Sequence, residues 1–139
     1  MERASSYLMM VDDDEDDRLI FGLEFEHQAG IHVQVVSSGR ELLEYLELCP
    51  ASALPTVLLI DYNMPGLDGP EILRRLTADP RYDKIYKVVW STSRISKEMY
   101  ACLGLGASAY LTKPATNAEL NTLIMKLTTF FQWPADIEC

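Results

Sequence analysis

Short apolar or β-branched runs recur along the chain at Tyr7 to Val11, His32 to Val36, Thr56 to Ile60, Lys87 to Ser91 and Ala109 to Thr112. Each is bounded by turn residues. Continuous apolar runs of this length predict strands buried on both faces. Between and after them lie five segments of helical period. The first, Asp16 to Gln28, offers Leu19, Ile20 and Leu23 as a stripe, although Gly22 weakens it by about 1 kcal/mol relative to Ala. The second, Gly39 to Leu48, offers Leu42, Leu43 and Leu46; the third, Asp68 to Thr77, offers Ile72, Leu73 and Leu76. Ser96 to Leu105 carries Met99, Cys102 and Leu103. Asn117 to Phe131 is the clearest, with Leu120, Leu123, Ile124, Leu127 and Phe131 at spacings of three and four, and with Asn117 as its expected N-cap. Five βα units in succession predict an α/β domain in which helices cover both faces of a parallel sheet. Right-handed crossovers leave a doubly wound sheet as the simplest topology.

A chain of 139 residues suits one domain and crowds two. The expectation is a single domain over 1–139 with its core at about 7–131; the tail 132–139 is too short to fold separately. Net charge is −9, from 21 acids against 12 bases, which argues against a nucleic-acid or anionic-membrane partner, since both ask for a basic face. Cys49, Cys102 and Cys139 are odd in number, far apart and without histidine at metal-ligand spacing, so they read as small hydrophobes and a terminal thiol. The N-terminal apolar run, Leu8 to Val11, is far shorter than a signal peptide or membrane span, which points to the cytoplasm.

In a doubly wound sheet the functional crevice lies at the carboxyl ends of the strands. Chemistry gathers there. The first strand runs into six consecutive acids, Asp12 to Asp17, and the third into Asp61 within LLIDYNMPGLDG. The fourth ends in Ser91 and Thr92, and the fifth in Lys113 within YLTKP. Two unit charges ~4 Å apart interact by about 4 kcal/mol at an effective dielectric near 20. Asp12, Asp13 and Asp61 around one pocket would repel by several times that, and Lys113 offsets only part. A hard divalent cation such as Mg²⁺ offsets the rest through oxygen ligands. Asp61, ionised at neutral pH, is then a nucleophile able to attack phosphorus, with Lys113 and the Ser91 hydroxyl on the equatorial oxygens.

These motifs together resemble the receiver domain of response regulators in two-component signalling, over Leu8 to about Phe131. An acidic pair follows the first strand, D-x-x-M-P-G-x-D-G the third, S-T the fourth, and G-A-x-x-Y-L-T-K-P marks the fifth. The resemblance implies a flavodoxin-like (βα)5 sheet of strand order 2-1-3-4-5. It implies Asp61 as phospho-acceptor, Asp12 and Asp13 as metal-site acids, and the Asn63 backbone carbonyl as a further Mg²⁺ ligand. Ser91 and Lys113 match the phosphate-contacting residues. Ser91 and Tyr110 match a switch pair that reports to the surface of the fourth helix, fifth strand and fifth helix, and the Lys113–Pro114 bond is expected to be cis. Implied partners are a histidine kinase or phosphotransfer protein and a downstream protein; the sequence is also compatible with a homodimer. The type implied is a stand-alone receiver that acts as output, relay or phosphate sink, not an enzyme beyond its own phosphorylation and dephosphorylation.

Simpler readings account for the remaining motifs. Asp14, Glu15, Asp16 and Asp17 suit the positive end of a helix dipole. The Asp12-x-Asp14-x-Asp16 spacing fails as an EF-hand, because Asp17 stands at the glycine position and Leu23 at the closing acid. Gly104-x-Gly106-x-x-Ala109 precedes a strand where a dinucleotide fingerprint needs a following helix, so it reads as a helix stop. Asp68 and Gly69 read as loop and cap residues, His27 and His32 as surface residues, and Trp90 as core. Two other functions compete: a small Mg²⁺-dependent phosphatase with an aspartate nucleophile, suggested by Asp12-x-Asp14, and a degenerate receiver used only as a binding module.

Overall fold

The strand-prone runs do pair into one sheet. In the computed structural model, which describes residues 6–131, β1 (Tyr7–Val11), β2 (His32–Val36), β3 (Val57–Asp61), β4 (Tyr86–Ser91) and β5 (Ala109–Thr112) are all parallel, in the order β2-β1-β3-β4-β5. The doubly wound, flavodoxin-like topology is therefore as expected. Two strands differ at their ends: β3 runs one residue later, so that Asp61 is its last residue, and β4 starts one residue earlier. Cys139 and the rest of 132–139 lie outside the described residues.

Five helices cover the sheet: α1 (Glu15–Ala29), α2 (Gly39–Leu48), α3 (Gly69–Thr77), α4 (Ser96–Gly104) and α5 (Asn117–Thr128). One core joins Met9, Val11, Leu58, Ile60 and Val89 to Leu42 and Leu46 of α2, Ile72, Leu73 and Leu76 of α3, and Cys102 of α4. The other joins Leu8, Met10, Val57, Leu59, Val88 and Trp90 to Phe21 and Phe25 of α1 and to the stripe of α5. Odd and even strand positions thus face different helix layers, as the two-residue period requires.

The stripe expected on α1 is corrected. Leu19, Ile20 and Leu23 are 58%, 56% and 61% exposed, while Phe21 and Phe25 are fully buried. Aromatic rings bury more area than leucine, and Phe21 gains both Phe25 and the edge of Trp90, each at a 5.4 Å centroid distance. The helix rotates to bury them. The cap of α5 is corrected too: Thr116, not Asn117, accepts from the Glu119 N–H at 3.1 Å, and the Glu119 carboxylate accepts from the Ala115 N–H at 2.8 Å. This reciprocal pairing satisfies donors that Asn117 would leave open. α5 ends at Thr128, and a 3-10 turn, Thr129–Phe131, carries the stripe on to Phe131.

The remaining turn assignments hold. Asp68 caps α3, and Gly106, at φ +106°, turns the chain from α4 into β5 against the side chain of Thr77. No peptide bond among the described residues is cis, so Lys113–Pro114 is trans, contrary to the expectation; trans is favoured by about 0.5–1 kcal/mol even before proline. No helix among these residues is long and apolar enough to cross a membrane.

Candidate functional site

The sheet order puts the switch point between β1 and β3, where the connections leave for opposite faces. Register then fixes what meets there. Val11 is paired with Ile60, so Asp12 and Asp61 stand one step further on neighbouring strands, and Asp61 is itself paired with Trp90. Parity puts Leu8, Met10 and Asp12 on the α1/α5 side, along with Leu59 and Asp61, Val88 and Trp90, and Leu111 and Lys113. Three apolar rows end in Asp12, Asp61 and Lys113.

Oxygens of Asp12, Asp13 and Asp61 all lie within 4.8 Å of one another. Asp12 is 0% exposed and Asp61 4%, whereas Asp13 is exposed at the rim. Lys113 Nζ sits 3.1 Å from Asp12 Oδ2, 3.3 Å from Asp61 Oδ1 and 2.8 Å from Asp17 Oδ2. Burial pushes the Asp61 carboxyl up, and the Asp12 charge pushes it further, to about 7, against the pull of Lys113. Burial raises Asp12 too, although the Asp14 N–H and Lys113 oppose it. Burial alone would lower Lys113; the bond to Asp17 and the charges of Asp12 and Asp61 outweigh it and hold the ammonium above the ordinary lysine range. The pocket therefore has an excess of negative charge that Lys113 does not balance. The clustered donors are all hard oxygens, without thiolate or imidazole, and they fit a hard divalent cation.

The other expected residues lie near but apart. Asn63 donates its N–H to Asp61 Oδ1 at 3.3 Å. Ser91 is buried at the end of β4, and its Oγ accepts from the Ser93 N–H at 3.0 Å rather than joining the acids. Tyr110, half-buried, donates to the Ser93 carbonyl at 3.4 Å and meets Tyr62 edge-on. Ser91 and Tyr110 thus meet on the same residue. Gly69 packs so close that a Cβ there would stand 3.0 Å from the Asp61 carbonyl oxygen, which ties the start of α3 to the site.

Two participants were assigned other roles from sequence. Asp17, read as a helix-start acid, makes the shortest bond to Lys113; its position in the first turn of α1, above the strand ends, was the available signal. Trp90, read as core, is indeed buried, but its indole Nε1 donates to Asp12 Oδ2 at 3.1 Å, and its parity with Asp61 could have pointed there. Asp14 caps α1 by accepting from the Asp16 and Asp17 N–H groups, and Arg18 Nη1 donates to the Asp12 carbonyl at 2.8 Å.

The family described as "Response regulator receiver domain" matches residues 8–125. The rice (Oryza sativa subsp. japonica) "Two-component response regulator ORR5" is 30% identical over 129 residues, covering 91% of this chain and 92% of the relative. A protein of Leptolyngbya boryana named "Uncharacterized 14.6 kDa protein in sodA1 3'region" is 30% identical over 128 residues, covering 92% and 94%. Among solved structures, the Francisella response regulator 1452 receiver domain superposes with a TM-score of 0.77 at 24% identity, covering 91% of this chain and 97% of that one. The Mn(2+)-bound form of response regulator Rcp1 superposes at 0.74 and 23% identity, covering 91% and 94%.

Proposed function

The chain belongs to the response regulator receiver domain family, and from that premise we propose that Asp61 accepts a phosphoryl group from a phosphohistidine donor and that the change alters a partner-binding surface. The observation that carries this reading is the convergence on one buried carboxylate, Asp61, of an acid cluster from the end of β1 and of Lys113 from the end of β5. An Asp61 carboxylate oxygen attacks phosphorus. The new O–P bond forms as the donor's N–P bond breaks, and the electron pair leaves on the imidazole nitrogen, which takes up a proton. Lys113 Nζ, already at hydrogen-bond distance from Asp61, neutralises an equatorial oxygen as charge develops. Asp12, Asp13, Asp61 and the Asn63 carbonyl would hold Mg²⁺, which when bound would supply positive charge to offset the negative charge developing on the phosphoryl group. Water later attacks phosphorus; the Asp61 O–P bond breaks, inorganic phosphate leaves and the free carboxylate is restored, so turnover is confined to the protein's own modification.

The switch follows from the hydrogen bonds of Ser93. Ser91 exchanges its bond to the Ser93 N–H for one to a phosphoryl oxygen, and Tyr110, held by the Ser93 carbonyl, moves with that loop. The phosphatase alternative has less support. Its Asp12-x-Asp14 pair is divided between a carboxylate bound to Lys113 and Trp90 and one spent on the cap of α1.

Incubation with a small acyl-phosphate donor and Mg²⁺ tests this directly. One acid-stable, base-labile phosphate per chain is expected, located on Asp61 by peptide mapping and missing from Asp61→Asn and from samples in EDTA. A label that persists in Asp61→Asn would contradict the proposal.

A further inference from the structure

We propose that Trp90 is a positioning residue of the cation site, its indole N–H fixing the Asp12 carboxylate so that one lone pair remains directed at the ion. The inference rests on the reading of the acid cluster as a Mg²⁺ site.

Asp12 is fully buried, and a buried carboxylate needs donors. Its Oδ1 accepts from the Asp14 N–H at 2.9 Å; its Oδ2 accepts from Trp90 Nε1 and from Lys113 Nζ, both at 3.1 Å. A carboxylate offers about four lone-pair sites. Two donors on Oδ2 occupy that oxygen, so the free position lies on Oδ1. Indole is a donor only, so this contact holds a single sense.

Geometry explains why tryptophan does this. β3 lies between β1 and β4, so the donor must cross roughly two strand spacings, about 9–10 Å. The Trp90 indole and the Asp12 carboxylate each reach across part of that gap and meet at 3.1 Å, where Phe would offer no donor. The ring is braced by the edge contact with Phe21 and by Lys113 Nζ, 5.2 Å from its centroid. Without the N–H, the Asp12 carboxylate is free to turn both oxygens toward Lys113, and the ion loses a fixed partner.

Trp90→Phe keeps the ring and removes the donor. Calorimetric titration with Mg²⁺ is expected to show affinity about tenfold weaker than the parent, the size typical of a lost outer partner. The unfolding temperature in EDTA is expected to fall by several degrees, because a buried carboxylate loses a donor and the core loses ring volume. In the parent, the ¹⁵N-indole NMR resonance of Trp90, assigned as the one that remains in Trp133→Phe, is expected to move with the same Mg²⁺ dependence. Parent-like affinity in Trp90→Phe, while Asp13→Asn loses binding, would overturn the role of Trp90 and leave the site standing. An indole resonance unmoved at Mg²⁺ saturation would overturn it even if the variant fails to fold. A parent that binds no Mg²⁺ would remove the cation site itself, and this inference with it.

Discussion

With divalent cations chelated, Asp61→Asn is expected to unfold at a higher temperature than the parent at pH 8, by on the order of 10 °C, and to lose that margin as the pH falls toward 4. Asp61 in the folded chain titrates at about 7 instead of its ordinary 3.8, because it is buried and faces Asp12. Between those two values the folded protein holds protons that the unfolded chain has released. Stability therefore declines as pH rises through that window, and the full cost is present above about 7. At about 1.4 kcal/mol per pH unit the upper bound is on the order of 4 kcal/mol, shared with Asp12 as one coupled pair. Asparagine carries no charge to desolvate, and Lys113 keeps Asp12 and Asp17 as partners. Saturating Mg²⁺ should stabilise the parent and not the variant, so the gap narrows. Melting curves from pH 4 to 8, with and without EDTA, check all of this; equal midpoints at pH 8 in EDTA would contradict the electrostatic account.

Lys113→Ala should separate two properties that a merely structural lysine would lose together. The rate of phosphate incorporation is expected to fall about 10²- to 10³-fold, the usual loss when one preorganised charge is removed from a transition state. Mg²⁺ affinity should instead tighten, by about tenfold, because the ammonium 3.1 Å and 3.3 Å from two carboxylate oxygens competes with the cation for them. Time courses of labelling by mass spectrometry and Mg²⁺ titration by calorimetry give the two numbers. Parent-like labelling would remove Lys113 from the chemistry, and Mg²⁺ binding lost in parallel would make it a strut of the pocket.

Much of this was legible in the residues. The strand runs are short and continuous, so β1, β2 and β5 were predicted to the residue, and the acids and lysine at the strand ends followed from topology. Burial on both faces, expected of every strand, fails at the edge strands β2 and β5, which are only partly buried. α1 was harder. Its leucines and its phenylalanines form rival stripes, and only packing against Trp90 and Phe25 decides which one turns inward. The acidic run hid a division of labour for the same reason. Charge alone does not distinguish Asp12, buried under Lys113, from Asp14, a cap, or from Asp17, a second partner of the lysine. Trp90 looked like core because it is core; its single polar atom finds Asp12 only once β3 is known to lie between the two strands.

Everything chemical here depends on acids from the ends of β1 and β3 sharing a divalent ion. Crystals grown with Mn²⁺ and measured at the metal's absorption edge test that most directly. The account predicts one anomalous peak per chain, within bonding distance of the Asp13 and Asp61 carboxylates and the Asn63 carbonyl, with Asp12 in contact directly or through water. A peak elsewhere, or none at saturating Mn²⁺, would contradict it.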